Sequence, residues 1–368
     1  MGESLQLAYR YRLYPTKAQA SALAETLETC RQVYNSLLNW RKHDYEVLGK
    51  SPSKFEQQAA FPRWKKHRPE LSDVFSQVLQ NVAVRVDLAF DAFFRRVKAS
   101  ETPGYPRVKG HGQYDSITYP QSGFGFCQGR LRLSKIGDLA IRLHRPVEGK
   151  IKTCTVRHIS SKWFVCFACE AEPELLPPSD EEVGIDVGLK TFASLSNGEN
   201  IENPRFFRRD EKALAKAQRK LSRQKRGSRA RRKARKVVSR IHERIRNRRH
   251  DFVHQTARRL VHRYGVIAVE KLNVKNMVKN HCLAKSISDA SWSMFRSVLT
   301  GKAERANRLV VAVNPAYTSQ RCSGCGDIQK KPLSVRTHRC MVCGLVLDRD
   351  TNAAVNIKAA VGQRSLAA

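Results

Sequence analysis

Four cysteines near the end of the sequence constrain the fold of this chain more than any other feature. They form two Cys-x2-Cys pairs separated by fourteen residues, and each pair is followed by glycine, as in CSGCG and CMVCG. Four thiolates at this spacing can surround one Zn²⁺ tetrahedrally, whereas redox cysteines would not need two such knuckles. The pattern predicts a closed structural zinc site, without an open coordination position for catalysis, formed by Cys322, Cys325, Cys340 and Cys343.

The chain is also strongly basic. Its 368 residues include 68 Lys and Arg against 33 Asp and Glu, which gives a formal net charge of +35. A surface this positive repels itself unless a polyanion neutralises it, and nucleic acid is the usual polyanion. An anionic membrane is the rival partner, but the sequence lacks the apolar run of about 18 residues that a spanning helix needs. We therefore expect nucleic-acid partners and no membrane.

The basic residues are densest between positions 205 and 249. This stretch could be a solvated helix face, but like charges four residues apart destabilise a helix that has no polyanion beside it. Contact with RNA or DNA is the interpretation that we favour. The start of the chain shows no secretory signal, so we expect a cytoplasmic protein with reduced thiols.

The first half of the sequence predicts a strand, a group of helices and a small β-domain. Residues 5–13 alternate between apolar and polar, as a half-buried strand does. Thr16 and Gln19 fit a capping box at the start of a long amphipathic helix. A second long helix is predicted from about Leu71 to Val97, and short alternating segments between Ile117 and Glu172 predict the β-domain.

The second half predicts an α/β core. Residues 173–180 (PELLPPSD) are typical of a linker. Short apolar runs at 183–186, 266–269 and 309–313 predict buried strands, and 191–195 predicts an antiparallel partner for the first of them. Mixed strands and helices of this kind favour an α/β core.

Three acidic residues together form the pattern of an RNase H-like nuclease. Asp186 and Glu270 each end a predicted strand, and Asp350 comes just before a predicted helix. Acids often cap strands and helices, so each alone is weak evidence. Together they could hold two Mg²⁺ ions for phosphodiester hydrolysis. Asp348 could replace Asp350 on charge alone.

Several segments, taken in order, resemble the TnpB (OrfB) family, transposon-associated relatives of the type V CRISPR effectors. The likeness spans nearly the whole chain, and its most specific segments are GIDVGLKTFASLSNG, VIAVEKLNVKNM, NPAYTSQRCSGCG and CMVCGLVLDRDTNAAVNI. It implies that Asp186, Glu270 and Asp350 are the catalytic RuvC acids and Mg²⁺ ligands. It implies that the four cysteines bind structural Zn²⁺. The D-x-N-A-A pattern places the third acid at Asp350, with Asp348 as a supporting neighbour.

The resemblance implies a multidomain α+β fold with an RNase H-like (RuvC) α/β nuclease core and a zinc ribbon. An N-terminal β-barrel wedge domain with an inserted helical recognition lobe would complete it. The implied bounds are 1–14 and 103–178 for the wedge, 15–102 for the lobe, 179–368 for the RuvC-like domain and 318–346 for its ribbon.

The function implied is that of a metal-dependent, RNA-guided DNA endonuclease of a bacterial or archaeal mobile element. Its partners would be a noncoding guide RNA from the transposon end and double-stranded target DNA beside a short transposon-adjacent motif, within a cytoplasmic, nucleoid-associated complex. Alternatives are a guide-dependent repressor that binds DNA without cleavage, a transposase that joins DNA strands, and a simple zinc-ribbon nucleic-acid-binding protein. The repressor should have lost an acid, and the last alternative leaves the acids unexplained.

Overall fold

The computed structural model describes residues 5–173, 175–332 and 334–365. The predicted wedge and RuvC-like ranges also include 1–4, 174, 333 and 366–368, which lie outside the described residues. The chain divides after Glu172 into two compact units, an N-terminal unit and a C-terminal unit. The predicted linker begins at this division, and residues 175–181 form no regular secondary structure.

The N-terminal unit begins with one strand that is followed by helices. The elements are β1 (Leu5–Tyr14), α1 (Lys17–Leu48), α2 (Lys54–Ala59), α3 (Phe61–His67), a 3₁₀ helix (Pro69–Asp73) and α4 (Ser76–Lys98). The predicted capping box is confirmed, because the Gln19 backbone N–H donates to Thr16 Oγ1 at 3.3 Å and the Thr16 N–H donates to Gln19 Oε1 at 3.0 Å. The prediction of one helix from about Leu71 was wrong: Val74 and Phe75 are extended, so α4 starts at Ser76.

The strands of this unit form one antiparallel sheet. They are β1 together with β2 (Ser116–Tyr119), β3 (Phe124–Cys127), β4 (Arg130–Leu133), β5 (Gly137–Arg142), β6 (Lys150–Ile159) and β7 (Lys162–Ala171), in the order β2-β6-β7-β1-β5-β4-β3. Because β1 lies between β7 and β5, the helices are an insertion between strands of one sheet. Helices and sheet share one apolar core that contains Tyr11, Leu37, Leu79 and Phe167. This confirms the predicted β-rich domain with inserted helices.

The C-terminal unit is built on a five-stranded mixed sheet. Its elements are β8 (Glu182–Val187), β9 (Thr191–Leu195), β10 (Asn200–Glu202), α5 (Phe206–Ser222), α6 (Arg229–Arg263), β11 (Val266–Glu270), α7 (Val274–Met277), α8 (Ala284–Ala290), α9 (Trp292–Arg305), β12 (Leu309–Val313), β13 (Thr337–Arg339), β14 (Val346–Asp348) and α10 (Arg349–Ser365). The strand order is β10-β9-β8-β11-β12. Strands β8, β11 and β12 are parallel to one another, and β9 is antiparallel to both of its neighbours, β8 and β10. The predicted α/β core is confirmed.

Helices cover both faces of this sheet. Because side chains alternate along a strand, Ile267 and Val269 of β11 face one side and Ala268 faces the other. Ile267 and Val269 pack in a core with Leu260 of α6 and Leu299 of α9. Ala268 packs against α10, in a cluster with Val313 and Ile357.

Helix α10 approaches β8 unusually closely, and Gly184 permits this approach. A Cβ atom at Gly184 would lie 2.0 Å from the backbone oxygen of Ala354 and 2.5 Å from the nitrogen of Lys358. Ala353 and Ala354 are fully buried at this contact. The small residues therefore let the helix pack closely on the sheet. Among the described residues, no helix is both long and apolar enough to cross a lipid bilayer.

Candidate catalytic centre and cysteine cluster

The four predicted cysteines come together as the sequence requires. Their sulfur atoms all lie within 4.8 Å of one another. Cys322 Sγ is 3.6 Å from Cys343 Sγ, and Cys325 Sγ is 3.5 Å from Cys340 Sγ. Four ligands at the ~2.3 Å Zn–S distance of a tetrahedral site would be about 3.8 Å apart. The geometry and the donor set thus fit one zinc ion.

Each cysteine pair lies in a tight turn that ends in glycine. The backbone N–H of Gly326 donates to the Cys322 carbonyl at 3.0 Å, and that of Gly344 donates to the Cys340 carbonyl at 3.1 Å. Both glycines have positive φ, 81° and 74°, which a residue with a side chain rarely adopts. Backbone N–H groups of Cys343 and Val342 point at Cys340 and lower the pKa of its thiol to about 6. The second knuckle therefore favours the thiolate of Cys340 that a metal requires. For Cys325 and Cys343, backbone hydrogen bonds also lower the pKa, but desolvation and the neighbouring sulfur atoms outweigh them and raise it.

Two of the three predicted acids lie at the carboxyl ends of neighbouring parallel strands, Glu270 as the last residue of β11 and Asp186 as the last but one of β8. Ile185 of β8 pairs with Val269 of β11, so the next residues, Asp186 and Glu270, lie side by side at the same edge of the sheet. Glu270 is held by a partner distant in sequence, because the Thr318 hydroxyl donates to Glu270 Oε1 at 2.6 Å.

Asp350 reaches the same edge from α10. It lies in the first turn of the helix and not before it, because α10 already starts at Arg349. Asp348 Oδ1 accepts from the backbone N–H groups of Asp350, at 2.8 Å, and Thr351, at 3.3 Å. Asp348 therefore caps the helix, which gives it a structural task distinct from that of Asp350. Arg336 Nη1 lies 3.5 Å from Asp350 Oδ2.

The pKa of Asp186 reflects the charges of both other acids. Burial is the largest cause that raises the pKa of Asp186, to about 8, and the charges of Glu270 and Asp350 are the next causes. Asp348 adds to this shift, and the Arg349 guanidinium opposes it. Burial also raises the pKa of Glu270, against the hydrogen bond from Thr318. The sheet edge is thus a partly buried site where negative charge is disfavoured until a cation neutralises it.

The carboxylates are spaced more widely than the thiolates. In the parts of the chain that the structure describes, only the cysteines form a group of three or more His, Cys, Asp or Glu with all ligand atoms within 4.8 Å. Repulsion between carboxylates and the attraction of Asp350 to Arg336 both favour such a spacing. An all-oxygen donor set of this kind fits a hard cation such as Mg²⁺.

Hydrogen bonds join the cysteine cluster to the helix that carries Asp350. The buried Asn352 side chain accepts from the Ser323 backbone N–H at 2.9 Å and donates to the Arg321 carbonyl at 2.8 Å. Asn356 donates to the Thr318 and Arg321 carbonyls, both at 2.8 Å. These contacts and those of Thr318 and Arg336 could not be predicted, because no local sequence pattern marks partners 14 to 48 residues apart.

The basic stretch forms α5, α6 and the loop between them. Near the sheet its charges are paired: Asp210 bonds Arg244, and Asp289 bonds Arg249. Between positions 212 and 242 there are fourteen Lys and Arg and no Asp or Glu, and all but Arg231 of these are exposed. This far end of the two helices therefore presents unneutralised positive charge to solvent.

Three family models match the chain. They are described as "Probable transposase" over residues 165–281, "Cas12f1-like, TNB domain" over 292–357 and "Helix-turn-helix domain" over 1–50. Within the last region, residues 5–50 form one strand and one long helix. The second region includes the four cysteines and Asp350.

A solved structure and two curated proteins are similar over nearly the whole chain. A chain of the "Cas12f1-sgRNA-target DNA complex" aligns with a TM-score of 0.62 and 13% identity, over 96% of this chain and 99% of that one, which supports the RuvC-type fold. A "Putative RNA-guided DNA endonuclease" of Streptomyces pristinaespiralis is 39% identical over 98% of this chain and 90% of its own length. The "Putative RNA-guided DNA endonuclease InsQ" of Escherichia coli (strain K12) is 33% identical over 96% and 92%. With relatives this similar along its whole length, the chain belongs to the TnpB (OrfB) family of transposon-associated proteins.

Proposed function

We propose that this chain is an RNA-guided DNA endonuclease of a mobile element. It cleaves DNA that pairs with a noncoding RNA from the transposon end, beside a short transposon-adjacent motif. The observation that carries the proposal is the convergence of Asp186, Glu270 and Asp350 at one sheet edge. The curated relatives named as RNA-guided DNA endonucleases support it, as does a similar fold in a complex with guide RNA and target DNA.

Asp186, Glu270 and Asp350 are the proposed catalytic residues and would hold Mg²⁺ through their carboxylates. Bound Mg²⁺ ions supply water activation and neutralise the leaving oxygen in phosphodiester hydrolysis. The protein contributes orientation: Thr318 fixes the Glu270 carboxylate, and Asp348 fixes the first turn of α10. Partial burial at the sheet edge weakens screening, which strengthens the attraction of these carboxylates for a cation.

Cys322, Cys325, Cys340 and Cys343 would hold Zn²⁺ as a structural ion, since four thiolates leave no coordination position for substrate. The predicted domain division into wedge, recognition lobe and RuvC-like domain is part of the proposal. A protein whose target sequence is selected by base pairing with the guide needs mainly contacts to the sugar-phosphate backbone of the A-form heteroduplex. The net charge of +35 suits such contacts.

The test is guide-dependent cleavage by the purified chain. Protein freed of RNA should leave a chosen DNA duplex intact, and addition of a matched guide RNA with Mg²⁺ should restore cutting. Asp350→Asn should abolish cleavage and leave guide and target binding unchanged. Asp348→Asn keeps an N-cap side chain and should retain substantial cleavage. Sequence-directed cutting without RNA, or normal cutting by Asp350→Asn, would contradict the proposal.

The description "Probable transposase" of one matching family model favours strand transfer as a second candidate. The same acids could support it, because hydrolysis and strand transfer differ in whether water or a DNA 3′-hydroxyl attacks. The cleavage assay separates the two if it includes labelled transposon ends. Joined products formed without guide RNA would establish strand transfer, and cut products that require the guide would establish the endonuclease.

A further inference from the structure

An open cleft in the C-terminal unit is lined in part by the turn that follows β8. Lys190, from the turn between β8 and β9, lines it together with Asn203, Arg205 and Arg208 around the start of α5. Asp289 of α8 forms another part of its wall. The volume of the cleft is about 500 Å³, which is within the usual size of ligand sites.

Two cations in this cleft have no neutralising partner. Arg208 pairs with Glu211 at 3.0 Å, and Asp289 is neutralised by Arg249 at 2.6 Å. Across the described parts of the chain, the side chains of Lys190 and Arg205 make no hydrogen bond or ion pair, and both are exposed. Backbone contacts nevertheless fix their positions, because Asn203 Nδ2 donates to the Leu189 carbonyl at 2.9 Å and Asn203 Oδ1 accepts from the Arg205 backbone N–H at 3.2 Å.

Chain connectivity places Lys190 of the cleft near the sheet edge that carries the acids. Lys190 follows Asp186 by only four residues, at the turn that leaves the carboxyl end of β8. Four residues of chain span at most ~14 Å. A stacked strand rises ~3.4 Å per nucleotide, so this distance corresponds to about four nucleotides.

We propose that Lys190 and Arg205 form a phosphate-binding subsite that holds the backbone of the substrate DNA strand within about four nucleotides of the cut. This inference rests on the proposed function. The ligand class follows from two unpaired cations on an open wall, which suit phosphodiester oxygens. Both are positioning residues, because they lie outside the set of carboxylates that would hold the metal.

The first experiment measures binding and does not depend on cleavage. A fluorescent 12-nucleotide single-stranded DNA is titrated with the full chain at salt concentrations from 50 to 200 mM. Each lost phosphate contact lowers the log–log salt slope by ~0.7 for single strands, so Lys190→Gln with Arg205→Gln should lower it by ~1.4. Over this fourfold range the wild-type chain should then lose ~7-fold more affinity than the double variant. Lys190→Arg with Arg205→Lys keeps both charges and should preserve the slope.

The second experiment locates the contact. Single neutral methylphosphonates are placed along the target strand, and cleavage by the guide-loaded chain is measured. The wild-type chain should lose rate at one or two positions within four nucleotides of the cut, and the double Gln variant should be insensitive at those positions. Lys212→Gln with Lys216→Gln removes two exposed charges of α5 outside the cleft and should retain the sensitivity.

The proposal is overturned if the double Gln variant keeps the wild-type salt slope, or if it keeps the same methylphosphonate sensitivity as the Lys212 and Lys216 control. If the proposed function fails but the subsite exists, the result is distinguishable. The salt slope of DNA binding then still depends on Lys190 and Arg205, but no guide RNA directs cutting by any variant.

Discussion

Replacing Asp186 with asparagine should make the chain more stable and inactive at the same time. Burial and the neighbouring acids raise the pKa of this carboxyl from its usual 3.8 to about 8. A group whose pKa is raised on folding keeps its proton in the folded state and loses it on unfolding. Without a bound cation, stability should therefore fall as pH rises from about 4 to about 8, and asparagine removes this loss.

The size of the effect follows from the pKa difference. Each pH unit between the two values costs ~1.36 kcal/mol, so the interval from 3.8 to pH 7 sets a ceiling of ~4 kcal/mol. The side chain is only partly buried, and water screens part of the repulsion. We expect a gain of about 1–2 kcal/mol for Asp186→Asn at pH 7, and close to none at pH 4.

The assay is urea unfolding of zinc-loaded protein without added Mg²⁺, at several pH values between 4 and 8. Asp180→Asn, which changes an exposed carboxylate before the same strand, is the matched control and should leave the midpoint unchanged. Cleavage with guide RNA and Mg²⁺ is measured in parallel. A gain that does not grow with pH would refute the electrostatic reasoning, and normal cleavage by Asp186→Asn would refute the catalytic assignment.

Other substitutions test the contacts around the centre. Gly184→Ala should move α10, destabilise the chain by ~1–3 kcal/mol and lower the cleavage rate on the order of 100-fold. Gly301→Ala is the control and should change neither stability nor cleavage in this way, because an added Cβ there has no atom within 4 Å. Cys322→Ser should lower the bound zinc, measured by metal analysis, and thermal stability together; a zinc-free variant with wild-type stability and activity would contradict this. Thr318→Val should release the Glu270 carboxylate and lower single-turnover cleavage roughly 10-fold with the zinc content unchanged; an unchanged rate would remove Thr318 from the mechanism. Asp348→Ala should cost ~1 kcal/mol in urea unfolding and Asp348→Asn less, since only asparagine can still cap the helix; equal losses would argue against the cap.

The core strands could be predicted from the sequence because their patterns are local. Residues 309–313 were predicted as a strand and form β12 with the same bounds, and the predicted run 266–269 is β11 with Glu270 at its end. Each run is a short apolar segment, which identifies it as a strand. The prediction that both are buried holds for β11 but was wrong for β12, an edge strand in which only Val313 is buried and Leu309 is exposed. Helix starts were less predictable. The apolar stripe of α4 continues back through Val74 to Leu71, but a 3₁₀ turn and an extended Phe75 interrupt it.

The candidate site was predictable only in its acids and cysteines. Strand ends marked Asp186 and Glu270, and the spacing of two knuckles marked the zinc ligands. The partners that orient them were not predictable, because Thr318 meets Glu270 across 48 residues and Arg336 meets Asp350 across 14. Such pairs depend on how β12, the cysteine knuckles and α10 fold together, and single-sequence patterns carry no information about that arrangement. The catalytic roles stay predictions until the variants are measured.

Hydrogen bonds connect the cysteine cluster to the helix that carries Asp350. The first knuckle places the Arg321 carbonyl and the Ser323 backbone N–H, and both bond to the buried side chain of Asn352. Asn352 lies two residues after Asp350 in the first turns of α10, so a shift of the knuckle moves the helix start along its axis. A buried amide that loses both partners costs a few kcal/mol, which makes the connection stiff. If the proposed roles hold, the cysteine cluster influences catalysis without touching the substrate, because its hydrogen bonds to Asn352 position the helix that carries Asp350.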